Sequence, residues 1–154
     1  MQDVKDFLKD IRAEMGIIEA MKQEEALLCD SLLPRGISYD GISVQTSPSD
    51  RTAGVMAAAV DLAKQRAAHR EKLLKDIFLA QELLGKMPTK EYALLLRMRY
   101  LGGEGPYTKW AYIASCMGYS ENYCRCRLHG FALEEARPIW RKMRQNVTFD
   151  CDTI

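Results

Sequence analysis

The sequence predicts an all-helical protein: a long N-terminal helical hairpin followed by a C-terminal helix-turn-helix bundle. Three observations lead there. Apolar residues recur at three- and four-residue steps along most of the 154 residues. The only alternating stretch, Ile42-Ser-Val-Gln45, is too brief to build a sheet. Near the C-terminal end, Gly118 and Ser120 separate two short helical patterns in the manner of a helix-turn-helix.

The first helix is expected over 3–29, where Phe7, Ile11, Ile18, Met21 and Leu28 mark one face and Gly16 is a site for a bend. Residues 30–50 carry Pro34, Gly36, Gly41, Pro48 and several serines and read as a loop. A capping box then opens a long second helix, with Ser47 as cap and Pro48 at the first helical position. Its expected seam is Met56, Val60, Ala63, Ala67, Arg70, Leu74, Ile77, Gln81 and Leu84, a heptad-like pattern with two polar interruptions. About 36 helical residues would span roughly 54 Å. That length favours pairing, either with the N-terminal helix or with a second copy of the chain. Gly85-Lys-Met-Pro88 ends it. Thr89 to Leu101 forms the next helix, with Leu94, Leu95, Met98 and Leu101 inward and Gly102-Gly103 as its stop. After a loop over 103–108, Ile113, Ala114 and Met117 face inward on a short helix, and a final helix follows from Glu121 to about Arg144, with Pro138 as a place to bend. The domains expected are 1–85, a helical assembly region with its loop at 30–50, then 86–146, the helix-turn-helix unit, with 147–154 as a flexible tail.

Charge is unevenly placed although the net value is only +1. Residues 1–30 balance to −4, 31–85 to +1, 86–146 to +6 and the tail to −2. The positive excess coincides with the helix-turn-helix, as expected of a surface that faces phosphates.

Within that unit, Gly118 stands where a helix ends in a left-handed residue, and the Ser120 side chain can cap the next helix. A uniform helical projection puts Cys124, Leu128 and Phe131 inward and Asn122, Arg125, Cys126 and His129 outward, with Arg127 at the flank. Arg pairs with guanine and Asn with adenine in a major groove, so Asn122 and Arg125 are the base-reading candidates, with His129 beside them. Thr108, Lys109, Tyr123 and Arg127 are candidates for phosphate contact. The alternative for Arg125 and Arg127 is a solvated helix face. Tyr119 and Tyr123 equally suit packing, Trp110 suits the core, and Arg97 with Arg99 forms either a backbone clamp or a solvated face.

The residues Leu94-Leu-Leu-Arg-Met-Arg-Tyr-Leu-Gly-Gly103, Trp110-Ala-Tyr-Ile-Ala and Met117-Gly-Tyr-Ser120 resemble the fourth region of bacterial sigma factors. With Gly36-Ile-Ser-Tyr-Asp-Gly41, Gln45-Thr-Ser-Pro-Ser-Asp-Arg51 and Leu128-His-Gly-Phe-Ala-Leu133, the chain over roughly 30–135 is similar to sigma region-4-like regulators of phages and prophages of Gram-positive hosts, the ArpU-type late regulators. The resemblance implies a DNA-binding transcriptional regulator with Ser120 to Arg127 entering the groove. One departure is visible: Cys126-Arg127 makes the stretch from Ser120 to Leu133 one residue longer than the sigma pattern, and Leu133 then falls on the outward face of the projection, so the exposed-face assignments hold to within about one position.

The partners expected are double-stranded DNA, with RNA polymerase and a second copy of the chain, paired through the long helices, as further ones. A phage small terminase-type DNA-packaging subunit and a polymerase-binding accessory module are the rival readings. No enzyme is expected, because there is no GxxxxGK loop and His69 and His129 have no evident nucleophile. No cofactor and no metal are expected either: Cys116, Cys124, Cys126 and His129 contain the needed atoms, but residues two apart on a helix point away from each other. Cys116 and Cys124 are read as small core residues, and five cysteines without a secretion signal suit reduced thiols. With no apolar run of membrane-spanning length, the place expected is the cytoplasm of a bacterial host cell.

Overall fold

The residues of the first helix that recur at three- and four-residue steps do turn to one side. In a computed structural model, described over residues 2–32, 48–102 and 108–149, α1 runs Val4–Leu32 and α2 runs Pro48–Lys86. Then come α3 (Lys90–Leu96), a π turn (Arg97–Leu101), α4 (Trp110–Met117), a single turn α5 (Glu121–Tyr123), a second π turn (Cys124–Leu128) and α6 (His129–Phe149). Every regular element among the described residues is helical. The expected loop at 30–50 lies for the most part outside them, as do Ser47 and the tail beyond 149, while α1 reaches Leu32 and α2 starts at Pro48 as the capping pattern indicates. Gly16 lies inside α1 and Pro138 inside α6.

The chain divides into two compact units, and the division cuts both long helices. The larger unit comprises Met1–Gly16 and Leu73–Ile154, and the smaller comprises Ile17–Lys72. The boundary read from sequence, between 85 and 86, falls inside the larger unit instead. The reason is apolar cover. Val4, Phe7, Leu8 and Ile11 of α1 belong to the same buried cluster as Ala80, Leu83 and Leu84 of α2, Leu95 and Leu96 of α3, Ile113 of α4 and Trp140 of α6. Phe7 stacks on Trp140 with ring centroids 4.2 Å apart. The indole Nε1 donates to the Gln2 carbonyl at 3.1 Å, so its polar edge is satisfied as burial requires.

A tertiary cap fixes α3. The backbone N–H and hydroxyl of Thr89 donate to the two carboxylate oxygens of Glu135, at 3.0 and 2.7 Å. A carboxylate at a helix N-terminus satisfies exposed donors and complements the helix dipole. Here it also binds α6 to α3.

In the smaller unit, Ile18, Met21 and Leu28 of α1 are partly covered, as are Val55, Ala59, Leu62 and Arg66 of α2. Arg66 forms an ion pair with Glu25, so the two helices lie side by side there. The covered positions of α2 include a seam one residue earlier than expected: Val55, Ala59, Leu62, Arg66, His69, Leu73, Asp76, Ala80 and Leu83, an alternation of four and three that continues to Met87 beyond the helix. Of the expected seam, Ala63 and Ile77 are half-buried and Leu84 is buried. Met56, Val60 and Leu74 of the expected seam are more than half exposed. Adjacent apolar pairs at 55–56, 59–60, 62–63, 73–74 and 83–84 support both registers equally in the sequence. The structure resolves the choice in favour of the register that includes Arg66, where the ion pair forms.

Candidate nucleic-acid interface

The region read from sequence as a helix-turn-helix begins at α4, which buries Ile113 and Ala114 as expected and leaves Met117 half-buried. Gly118 ends it with φ +74°, a left-handed conformation that is cheap only for glycine. The Tyr119 N–H donates to the Ala114 carbonyl at 3.1 Å, closing the glycine-based cap. Ser120 follows with extended backbone, and its hydroxyl oxygen accepts from the Tyr123 N–H at 3.3 Å. Both turn residues thus do what the sequence indicates.

The helix after the turn departs from a uniform projection. Cys124 and Leu128 are buried, but the next buried residues are Ala132 and Leu133, while Phe131 is 43% exposed. The cause is the π turn at Cys124–Leu128, which takes one residue more than an α turn and rotates everything after it. This turn accommodates the additional residue noted at Cys126-Arg127. A second consequence concerns His129. Expected on the outer face, it is turned inward, with Nε2 3.0 Å from the Tyr100 hydroxyl and its ring edge against Trp110 at 5.2 Å. Gly130 occupies the exposed position in its place.

The inward face of α3, which leads into the first π turn at Arg97–Leu101, also differs from expectation. Leu94 is exposed and Leu96 buried, contrary to the expected inward set, while Leu95 is buried as expected and Met98 and Leu101 are partly covered. Gly102 closes this turn so tightly that a Cβ there would lie 2.9 Å from the Met98 carbonyl oxygen.

The two π turns face one cleft. Arg99 and Tyr100 come from the first, Arg125 from the second, and His129 follows directly after it. Trp110 adds an aromatic wall, and Lys5 and Lys9 reach the same cleft from α1. The cavity is about 360 Å³, and among the described residues no carboxylate lines it. Arg99 is held in place: its guanidinium carbon is 4.4 Å from the Trp110 ring centre, and its Nη1 donates to the Thr108 carbonyl at 2.5 Å. Burial, then the charges of Lys5 and Arg99, push the His129 pKa down to about 4. The histidine is therefore neutral near pH 7, and Nε2 can accept the Tyr100 phenol proton when the ring carries its own on Nδ1. Lys9 also meets Asp6 at 3.7 Å, an exposed contact of the kind that contributes little.

The residues singled out from sequence thus divide. Arg125 and His129 lie at the cleft, and Thr108 touches it through Arg99, its hydroxyl donating to the Gly102 carbonyl at 3.1 Å. Lys109, Ser120, Asn122, Tyr123 and Arg127 are exposed outside it. The Asn122 Oδ1 accepts from the Cys126 thiol at 3.3 Å, and Tyr123 packs against Tyr119 with ring centres 5.3 Å apart. Cys124 is buried, and burial raises its thiol pKa, as suits an apolar filler. Cys116, expected in the core, is exposed. Among the described residues, no three His, Cys, Asp or Glu side chains are grouped to hold a metal, and no helix is long and apolar enough to cross a membrane.

Sequence reasoning missed Lys5 and Lys9. They lie in the acidic N-terminal segment, far along the chain from Arg99. The available signal was their four-residue spacing, which puts both on one helix face. No family model, no curated protein and no solved structure matches this chain significantly.

Proposed function

We propose that the chain is a sequence-specific, DNA-binding transcriptional regulator of phage or prophage type, with the helix from Ser120 laid in a major groove. The observation that carries this reading is the capped helix after a left-handed glycine, exposing Asn122, Arg125, Cys126 and Arg127 while a basic cleft opens at its side. A short helix entering the groove N-terminal end first presents such side chains to base edges. Asn122 keeps the base-reading role, since its amide can pair with adenine. Arg125, which lines the cleft, and Arg127 and Lys109 beside it supply phosphate contacts. Met56 and Val60, more than half exposed on α2, support self-association through the long helices.

The test is selection of bound duplexes from a random pool by the wild type and by Asn122→Ala. A single enriched motif is expected, with one position relaxed in the variant and a preference there of about 1–3 kcal/mol lost. A pool that returns no motif would overturn the reading.

One observation favours a protein partner as a second reading. Tyr112, Tyr119 and Tyr123 are all at least 40% exposed on the same helix-turn-helix, and exposed aromatic groups suit a protein interface. RNA polymerase is the partner this reading names, and its affinity would survive loss of Arg125 and Arg127.

A further inference from the structure

Lys5, Lys9, Arg99 and Arg125 come from three separate elements and converge on one cleft, and among the described residues no carboxylate lines its wall. Arg99 is held by Trp110 and by the Thr108 carbonyl, so its position is set before any ligand arrives. Both walls are π turns, which turn the side chains of Arg99 and Arg125 toward the same space. The aromatic part of the lining, Trp110 and Tyr100 with neutral His129, adds no negative charge. Four cations exceed what a single carboxylate would neutralise. They suit a strand that brings successive phosphates past the opening, where Lys9 and Arg125 are exposed.

We propose that this cleft is a phosphate-binding site that seats the backbone of duplex DNA, and that it brings Lys5 and Lys9 of the N-terminal helix into the interface. The proposal rests on the DNA-binding reading above and extends it. The first turns of α1 then serve two ends: Val4, Phe7 and Leu8 complete the core, and Lys5 and Lys9 on the other side grip the backbone. Contacts to phosphate set position and affinity but carry no sequence information. Loss of the lysines should therefore weaken all duplexes alike.

The experiment is fluorescence anisotropy with a labelled duplex of the selected motif and with a random duplex, over a range of salt concentrations. It compares the wild type, Lys5→Ala/Lys9→Ala, the single variant Lys9→Glu and the control Lys22→Ala, whose lysine lies on α1 in the smaller unit. Expected for the double variant is roughly tenfold weaker binding to both duplexes at 0.1 M salt, with a salt slope shallower by about one for each lysine removed. Lys22→Ala should behave as the wild type. Lys9→Glu alters only a half-exposed side chain and gives the same answer should the double variant fold poorly. Unchanged affinity and slope in the lysine variants, with the wild type binding tightly, would overturn the cleft assignment and leave the proposed function standing. A wild type that binds no duplex would overturn both. Calorimetry with ATP and with inorganic phosphate separates the remaining source of the same chemistry. Micromolar binding lost in the double variant while duplex binding is unchanged would make the cleft a small-molecule site and overturn the proposal.

Discussion

The larger and smaller units share the same two long helices and differ in what those helices bury. Every buried apolar residue among the described residues lies in the larger unit, from Val4 through Trp140 to Met143. In the smaller unit the seam of α1 and α2 is only partly covered, and its ion pair, Arg66 with Glu25, stays in reach of solvent. The two units therefore draw on different forces. The larger is held by a dry core with satisfied polar edges, such as the Trp140 indole and the Thr89–Glu135 cap. The smaller relies on helix propensity and a thin two-helix contact, which leaves apolar surface available to a partner.

The largest effect should come from cutting into the dry core. Trp140→Ala removes the stack on Phe7 and the bond to Gln2, and should cost about 3–5 kcal/mol in chemical denaturation. Leu62→Ala in the smaller unit should cost less than about 1 kcal/mol. Equal losses would mean that the units are not distinct in stability.

A smaller effect should come from pH. The His129 pKa is about 4 when folded, against 6.5 for an ordinary histidine. Between those values the unfolded chain binds a proton that the folded chain does not. The contribution is therefore complete above pH 6.5 and is lost as pH falls toward 4. Allowing for partial exposure, it is on the order of 2 kcal/mol. His129→Gln should flatten the fall in stability over that window. Identical pH profiles for the two proteins would contradict the buried, cation-flanked placement of the ring.

The same contrast governs how much was legible in the sequence. The inward face of α1 could be read from Phe7, Ile11, Ile18, Met21 and Leu28, all of which are buried or partly covered. The α2 register could not, since doublets such as Val55-Met56 and Leu73-Leu74 offer two equivalent seams. Gly118 and Ser120 were legible because each meets a local stereochemical demand within its own turn. The π turns were not, because no residue type marks them. The second exchanged the expected places of His129 and Phe131. The basic cleft depends on those turns and on two lysines distant in sequence, so Arg99, Trp110, Arg125 and His129 of its lining had been singled out one by one, but not as one site.

The most direct test of the central claim is the salt dependence of duplex binding by the wild type and by Arg125→Ala. Tight wild-type binding that weakens log-linearly as salt rises, with a shallower slope and lower affinity for the variant, is the predicted result. Identical binding by the two proteins at every salt concentration would contradict the account.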